Sequence, residues 1–91
     1  MELLLTPAFA RQIKKLHKNQ KASLDRALYQ LVNNPLLGDA KTAELEGIYV
    51  LKFKINAQVW LLAYRLISQE SLKLLLVGPH ENFYRELKKK P

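Results

Sequence analysis

The chain has 91 residues, 48% of them apolar and 25% charged, which is too hydrophobic for intrinsic disorder and long enough for one small domain, residues 1–91, with a modest core. Fifteen Lys+Arg against eight Asp+Glu give a formal charge of +7, so a polyanion is the natural partner. Zero cysteines exclude disulfides and thiolate metal sites, two histidines far apart in sequence argue against zinc, and no stretch approaches the ~20 apolar residues of a membrane span; a cytoplasmic protein with no metal and no cofactor is expected.

In chain order, Leu3-Leu4-Leu5 reads as a short buried strand. Thr6-Pro7 then ends it and starts a helix, with threonine as N-cap and proline at the first helical position. Phe9, Ile13 and Leu16 recur at helical spacing, with Arg11, Lys14, Lys15 and Lys18 off that stripe, so the helix should be apolar inward and cationic outward. A turn near Asn19-Gln20 leads to a second amphipathic helix marked by Leu24, Leu28, Leu31 and Val32, which Asn33-Asn34-Pro35 ends. His17 falls within the basic helix and reads as a surface residue.

Residues Leu36 to Glu46 form a loop that carries Asp39, Glu44 and Glu46 and has no clear period. Three strands follow, at Ile48 to Ile55, Val59 to Ile67 and Leu72 to Val77, with connections short enough for hairpins. Gly78 and Pro79 should stop the last of them, because glycine weakens a ladder and proline cannot donate to it. A short helix is expected from about His80 to Lys89, and the chain closes on Lys88-Lys89-Lys90. The order β-α-α-β-β-β-α implies an α+β fold, a mainly antiparallel sheet with the N-terminal helical pair on one face and a short C-terminal helix.

Several residues in this frame carry chemistry. Lys52 and Lys54, two apart in a strand, project from one sheet face while Leu51, Phe53 and Ile55 project from the other. Their like charges invite an anion between them, and a phosphate would serve. Arg65 is the one charge in a strand otherwise suited to burial, so it needs a carboxylate such as Glu44, Glu46 or Glu70, or a phosphate that its guanidinium can clamp. If the last helix starts at His80, the i,i+4 spacing puts His80 and Tyr84 on one face, and Phe83 with Leu87 docks that helix on the core. RNA carries its own nucleophile in the 2′-OH, so an imidazole acid or base, Lys52, Lys54 and Arg65 for phosphate charge, and Tyr84 to stack a base would suffice to cleave it without a metal.

The element order, the segments Thr6-Pro7-Ala8-Phe9, Ala43-Glu44-Leu45-Glu46-Gly47 and Leu62-Ala63-Tyr64, and the run Val77-Gly78-Pro79-His80-Glu81-Asn82-Phe83-Tyr84-Arg85 together resemble the RelE/ParE toxin superfamily of bacterial type II toxin–antitoxin modules. The resemblance covers the whole chain. It implies a ribosome-dependent mRNA endonuclease in which the family's basic strand residues fall on Lys52 and Lys54, its post-strand arginine or histidine on His80, and its terminal-helix aromatic on Tyr84. It further implies a ribosome and mRNA as partners, with Arg11, Lys14, Lys15, Lys18 and Lys21 gripping ribosomal RNA, and a cognate antitoxin protein as neutraliser. Where many RelE-like nucleases have an arginine early in the third of the four main strands, this chain has Leu61. Arg65 lies on the same face roughly 13 Å further along. The alternative implied by the same superfamily is a ParE-like toxin that binds DNA gyrase and catalyses nothing.

Overall fold

Residues 1–89 are described by the structure, a computed structural model, so Lys90 of the closing lysine run and Pro91 lie outside the described residues. The elements are β1 (Glu2–Leu5), α1 (Pro7–Lys14), α2 (Lys18–Asn33), β2 (Asp39–Ala40), a 3-10 turn at Ala43–Leu45, β3 (Tyr49–Ile55), β4 (Gln58–Ser68), β5 (Ser71–Pro79) and α3 (Phe83–Lys88). The strands form one sheet in the order β1-β5-β4-β3-β2, antiparallel throughout except for the parallel pairing of β1 with β5. No helix among the described residues is long and apolar enough to cross a membrane.

The expected α+β architecture is present, with four local differences up to the end of β5. The turn between the helices falls at Lys15–His17, not at Asn19-Gln20; His17 is the exposed N-cap of α2, and its N–H donates to the Gln20 side chain at 2.8 Å, which draws Asn19 and Gln20 into the first helical turn. The loop from Leu36 to Glu46 contains a two-residue strand and a 3-10 turn, elements too short to leave a period in the sequence. β1 is an edge strand on which Leu4 and Leu5 are exposed, not a buried one.

The fourth difference concerns the end of β5. Gly78 and Pro79 do not stop the strand; they pair with Leu61 and Trp60. Beyond Leu74, β5 has no strand outside it, and α1 covers that edge with side chains. The hydroxyl of Thr6, the N-cap of α1, donates to Leu74 C=O at 3.0 Å, and the Gln12 amide both donates to Val77 C=O at 2.7 Å and accepts from Val77 N–H at 2.9 Å. Backbone groups two residues apart point the same way in a strand, so the N–H that Pro79 lacks would have faced this edge, where its loss costs no ladder bond.

Strand alternation divides the sheet into two apolar faces. On one, Leu51, Ile55, Trp60, Leu62, Tyr64, Leu72, Leu74 and Val77 pack with Phe9 of α1 and with Leu24, Ala27 and Leu31 of α2. On the other, Ile48, Val50, Leu61, Ala63 and Leu76 pack beneath Phe83 and Leu87 of α3. The register shift between Ala63 and Tyr64 leaves Leu75 as an extra residue in β5. That bulge resets the alternation, so Leu74 and Val77 both face the helical pair although they are three apart.

Candidate functional site

The rim at the end of β5 is built by a turn and not by a helix. His80 N–H donates to Val59 C=O at 3.1 Å, which continues the β4–β5 ladder one step past Pro79. The chain then reverses through Glu81 and Asn82, where Asn82 has φ 64° and ψ 2°, and Phe83 N–H donates to His80 C=O at 3.2 Å. The expected helix from His80 is therefore corrected to one from Phe83, and His80 and Tyr84 share no helical face. They still meet: the imidazole and the Tyr84 ring lie 6.2 Å apart, edge to face at 79°. Phe83, buried against the sheet, holds Tyr84 from another side with ring centroids 5.5 Å apart.

Lys52 and Lys54 project from the face that α3 covers, both exposed, and pair with Leu61 and Val59. Because His80 bonds to Val59 from the other side, Lys54, Val59 and His80 stand side by side on three adjacent strands. Two strand spacings separate Lys54 from His80, about 10 Å between backbones. An extended lysine side chain and an imidazole can close on a phosphate placed between them. Lys52 occupies the next inward row with Leu61 and Gly78.

Arg65 is not brought to this end. It lies six residues beyond Val59 on β4, roughly 20 Å away along the strand, and its guanidinium rests against Gly47, where a Cβ would come within 2.7 Å of Nη1. Leu61, in the place of the family arginine, is completely buried beneath α3.

Among the helix cations, Arg11 and Lys15 line a cleft with Ala8, Gln12, Leu76 and Glu86, and a second cleft with Gln12, Leu76 and Glu86 on its walls runs from there to Gly78 and Asn82. Lys14, Lys18 and Lys21 are also exposed, on the helical pair that covers the opposite face of the sheet.

One residue was not legible beforehand. Lys41 N–H donates to Ile48 C=O at 2.9 Å, directly after the β2–β3 pairing, and its Nζ sits 5.4 Å from the centre of the Tyr84 ring. The only sequence signal was its spacing of two from Asp39, within a loop that otherwise has no pattern.

A small basic α+β domain, with a helical pair on one sheet face and an imidazole, lysines and a tyrosine along the other, is the class defined by fold and site. Residues 3–88 match the family model described as ParE-like toxin of type II bacterial toxin-antitoxin system, and the chain belongs to this family, within the RelE/ParE superfamily. Its fold is shared with a mutant of the E. coli toxin RelE in the free state, at 20% identity and a TM-score of 0.73, covering 97% of this chain and 94% of that one. It is shared also with the isolated E. coli RelE toxin, at 17% identity and TM-score 0.70 over 97% and 96%. A chain of the intact E. coli RelBE toxin–antitoxin complex matches at 20% identity and TM-score 0.69 over 88% and 96%. No curated protein matches the sequence.

Proposed function

We propose that this toxin is a ribosome-dependent mRNA endonuclease acting as a single domain in the cytoplasm. The observation that carries the reading is the row Lys54, Val59, His80 across three strands, with Tyr84 against the imidazole. In that row the backbones of a proton-transfer group and a cation stand about 10 Å apart on an exposed rim. In the reaction, the 2′-oxygen of a nucleotide attacks the adjacent phosphorus, the 5′-oxygen leaves with a proton, and a 2′,3′-cyclic phosphate remains. His80 moves a proton as general acid or base, Lys52 and Lys54 stabilise the charge that builds on the phosphate oxygens, and Tyr84 orients a base. Arg65 is too distant for the clamp expected of it.

The cationic helices supply the second part of the reading. Arg11, Lys14, Lys15, Lys18 and Lys21 would hold ribosomal RNA through a salt-sensitive, sequence-blind attraction. A cognate antitoxin, rich in acidic residues, would neutralise the toxin by covering the same cations; E. coli RelE, which shares the fold, is known in a toxin–antitoxin complex.

A second reading, inhibition of DNA gyrase without catalysis, is favoured by the ParE-like family model and by the burial of Leu61 where a nuclease arginine is expected. One experiment separates the two. The toxin is expressed under tight control, mRNA 5′ ends are mapped on translating ribosomes, and gyrase supercoiling is assayed in parallel. Codon-positioned cuts with normal supercoiling support the nuclease; intact mRNA with inhibited gyrase establishes the alternative.

A further inference from the structure

We infer that Lys41 is a phosphate-binding residue of this site and supplies the cation that position 61 does not; the inference rests on the ribonuclease reading. Asp39 pairs directly with Val50, whose side chain lies on the α3 face of the sheet. Strand alternation then sends Lys41, two residues on, to that same face. Its backbone is fixed by the bond to Ile48 C=O and its side chain is half-buried. The stem therefore has a defined direction, and it ends with Nζ over the ring of Tyr84 at 5.4 Å. Tyr84 in turn touches His80. Lys41 and His80 are thus joined through one aromatic ring, although 39 positions separate them in the chain.

Besides Lys52 and Lys54, the two strand positions from which a further cation was expected on this face do not bring one to the rim. Leu61 is completely buried and apolar, and Arg65 is held at Gly47 near the far end of β4. An ammonium resting on a tyrosine ring is held by the ring's quadrupole, without a fixed hydrogen-bond direction. When a base stacks on Tyr84 it takes over that ring face. The four-carbon stem of lysine then lets the ammonium swing aside, onto the phosphate attached to the stacked nucleotide. Base recognition and charge delivery become one event, so the site gains its extra cation only when substrate is present.

The test uses the full-length toxin on ribosomes programmed with a short mRNA, and compares Lys41→Met with Lys41→Arg. Methionine keeps the length and loses the charge; arginine keeps both the charge and the contact with the ring. The single-turnover cleavage rate should fall at least tenfold in Lys41→Met and stay within about threefold of wild type in Lys41→Arg, with the thermal unfolding midpoint of both variants unchanged. Binding to ribosomes carrying an mRNA blocked by a 2′-deoxy nucleotide at the cut site should show a log–log salt slope lower by about one in Lys41→Met, as loss of one phosphate contact requires. Equal cleavage by Lys41→Met and wild type, or equal loss in both variants, overturns the role of Lys41 and leaves the nuclease reading standing. A wild-type toxin that leaves the mRNA intact overturns both.

Discussion

The rings of His80 and Tyr84 meet edge to face at 6.2 Å, although the residue pair is spanned by a left-handed turn and not by a helix. Asn82 makes that possible, since φ 64° is a conformation asparagine and glycine tolerate and a β-branched residue does not. Asn82 C=O also accepts from Glu86 N–H at 3.1 Å, so the same residue opens α3. Asn82→Gly should leave stability within about 0.5 kcal/mol, whereas Asn82→Val should cost about 1–3 kcal/mol by chemical denaturation. Asn82→Val should also abolish the nuclear Overhauser contact between the His80 and Tyr84 rings.

Gly38 packs directly against the Tyr64 hydroxyl. The buried Tyr64 hydroxyl donates to Pro35 C=O at 2.8 Å and accepts from Gly38 N–H at 2.9 Å, and a Cβ on Gly38 would lie 2.8 Å from that oxygen and 3.1 Å from the Val50 backbone. Gly38→Ala should therefore destabilise by about 1–3 kcal/mol through overpacking. Tyr64→Phe should cost about 1–2 kcal/mol by leaving the half-buried Gly38 N–H and Pro35 C=O without their partner. The double variant should lose less than the sum, because both changes break the same contact.

The same hydroxyl sets an alkaline limit on stability. Burial, foremost, raises the Tyr64 phenol above the ordinary tyrosine value, with the nearby Tyr49 and Asp39 adding to it and the Gly38 hydrogen bond opposing. A group whose folded pKa is raised binds its proton more tightly in the folded state. Its contribution is complete below pH ~10, where unfolded tyrosine titrates, and is lost as pH rises through the higher folded value. Stability measured by urea unfolding should fall above pH 10, and the slope in that range should be shallower in Tyr64→Phe.

Gln12 is the seal on the open edge of β5. Gln12→Ala removes both bonds to Val77 and uncovers a strand edge beside the site, which should cost about 1–3 kcal/mol. Hydrogen exchange at the Val77 amide should accelerate more than at Leu62, which lies in the centre of the sheet. Equal acceleration at both amides would show that the loss is global and not local to the edge.

The parts of the fold that were legible in the sequence are those with period. Strict alternation around Lys52 and Lys54, and helical spacing in Phe9, Ile13 and Leu16, placed those residues on the faces they occupy. The parts that were not legible depend on tertiary contacts. Pro79 reads as a strand stop, yet the edge it sits on makes its missing N–H harmless. Thr6-Pro7 was readable because capping is local: Phe9 N–H donates to the Thr6 hydroxyl at 3.2 Å. Lys41 was hidden because its register comes from pairing with β3, which no local pattern announces. Leu61 was visible as a departure from the family, but only its burial beneath α3 makes plain that no charge can enter there.

Under the proposed function, the His80 rim cuts RNA on the ribosome. The most direct measurement is the appearance of 2′,3′-cyclic phosphate ends on a short mRNA held by purified programmed ribosomes, after adding wild-type toxin or folded His80→Ala. Wild type should produce them at one position within the occupied codon, and His80→Ala should be slower by about 10²–10⁴-fold, the range a lost general acid or base commands. Intact mRNA with wild-type toxin, or cleavage at an unchanged rate in His80→Ala, would contradict it.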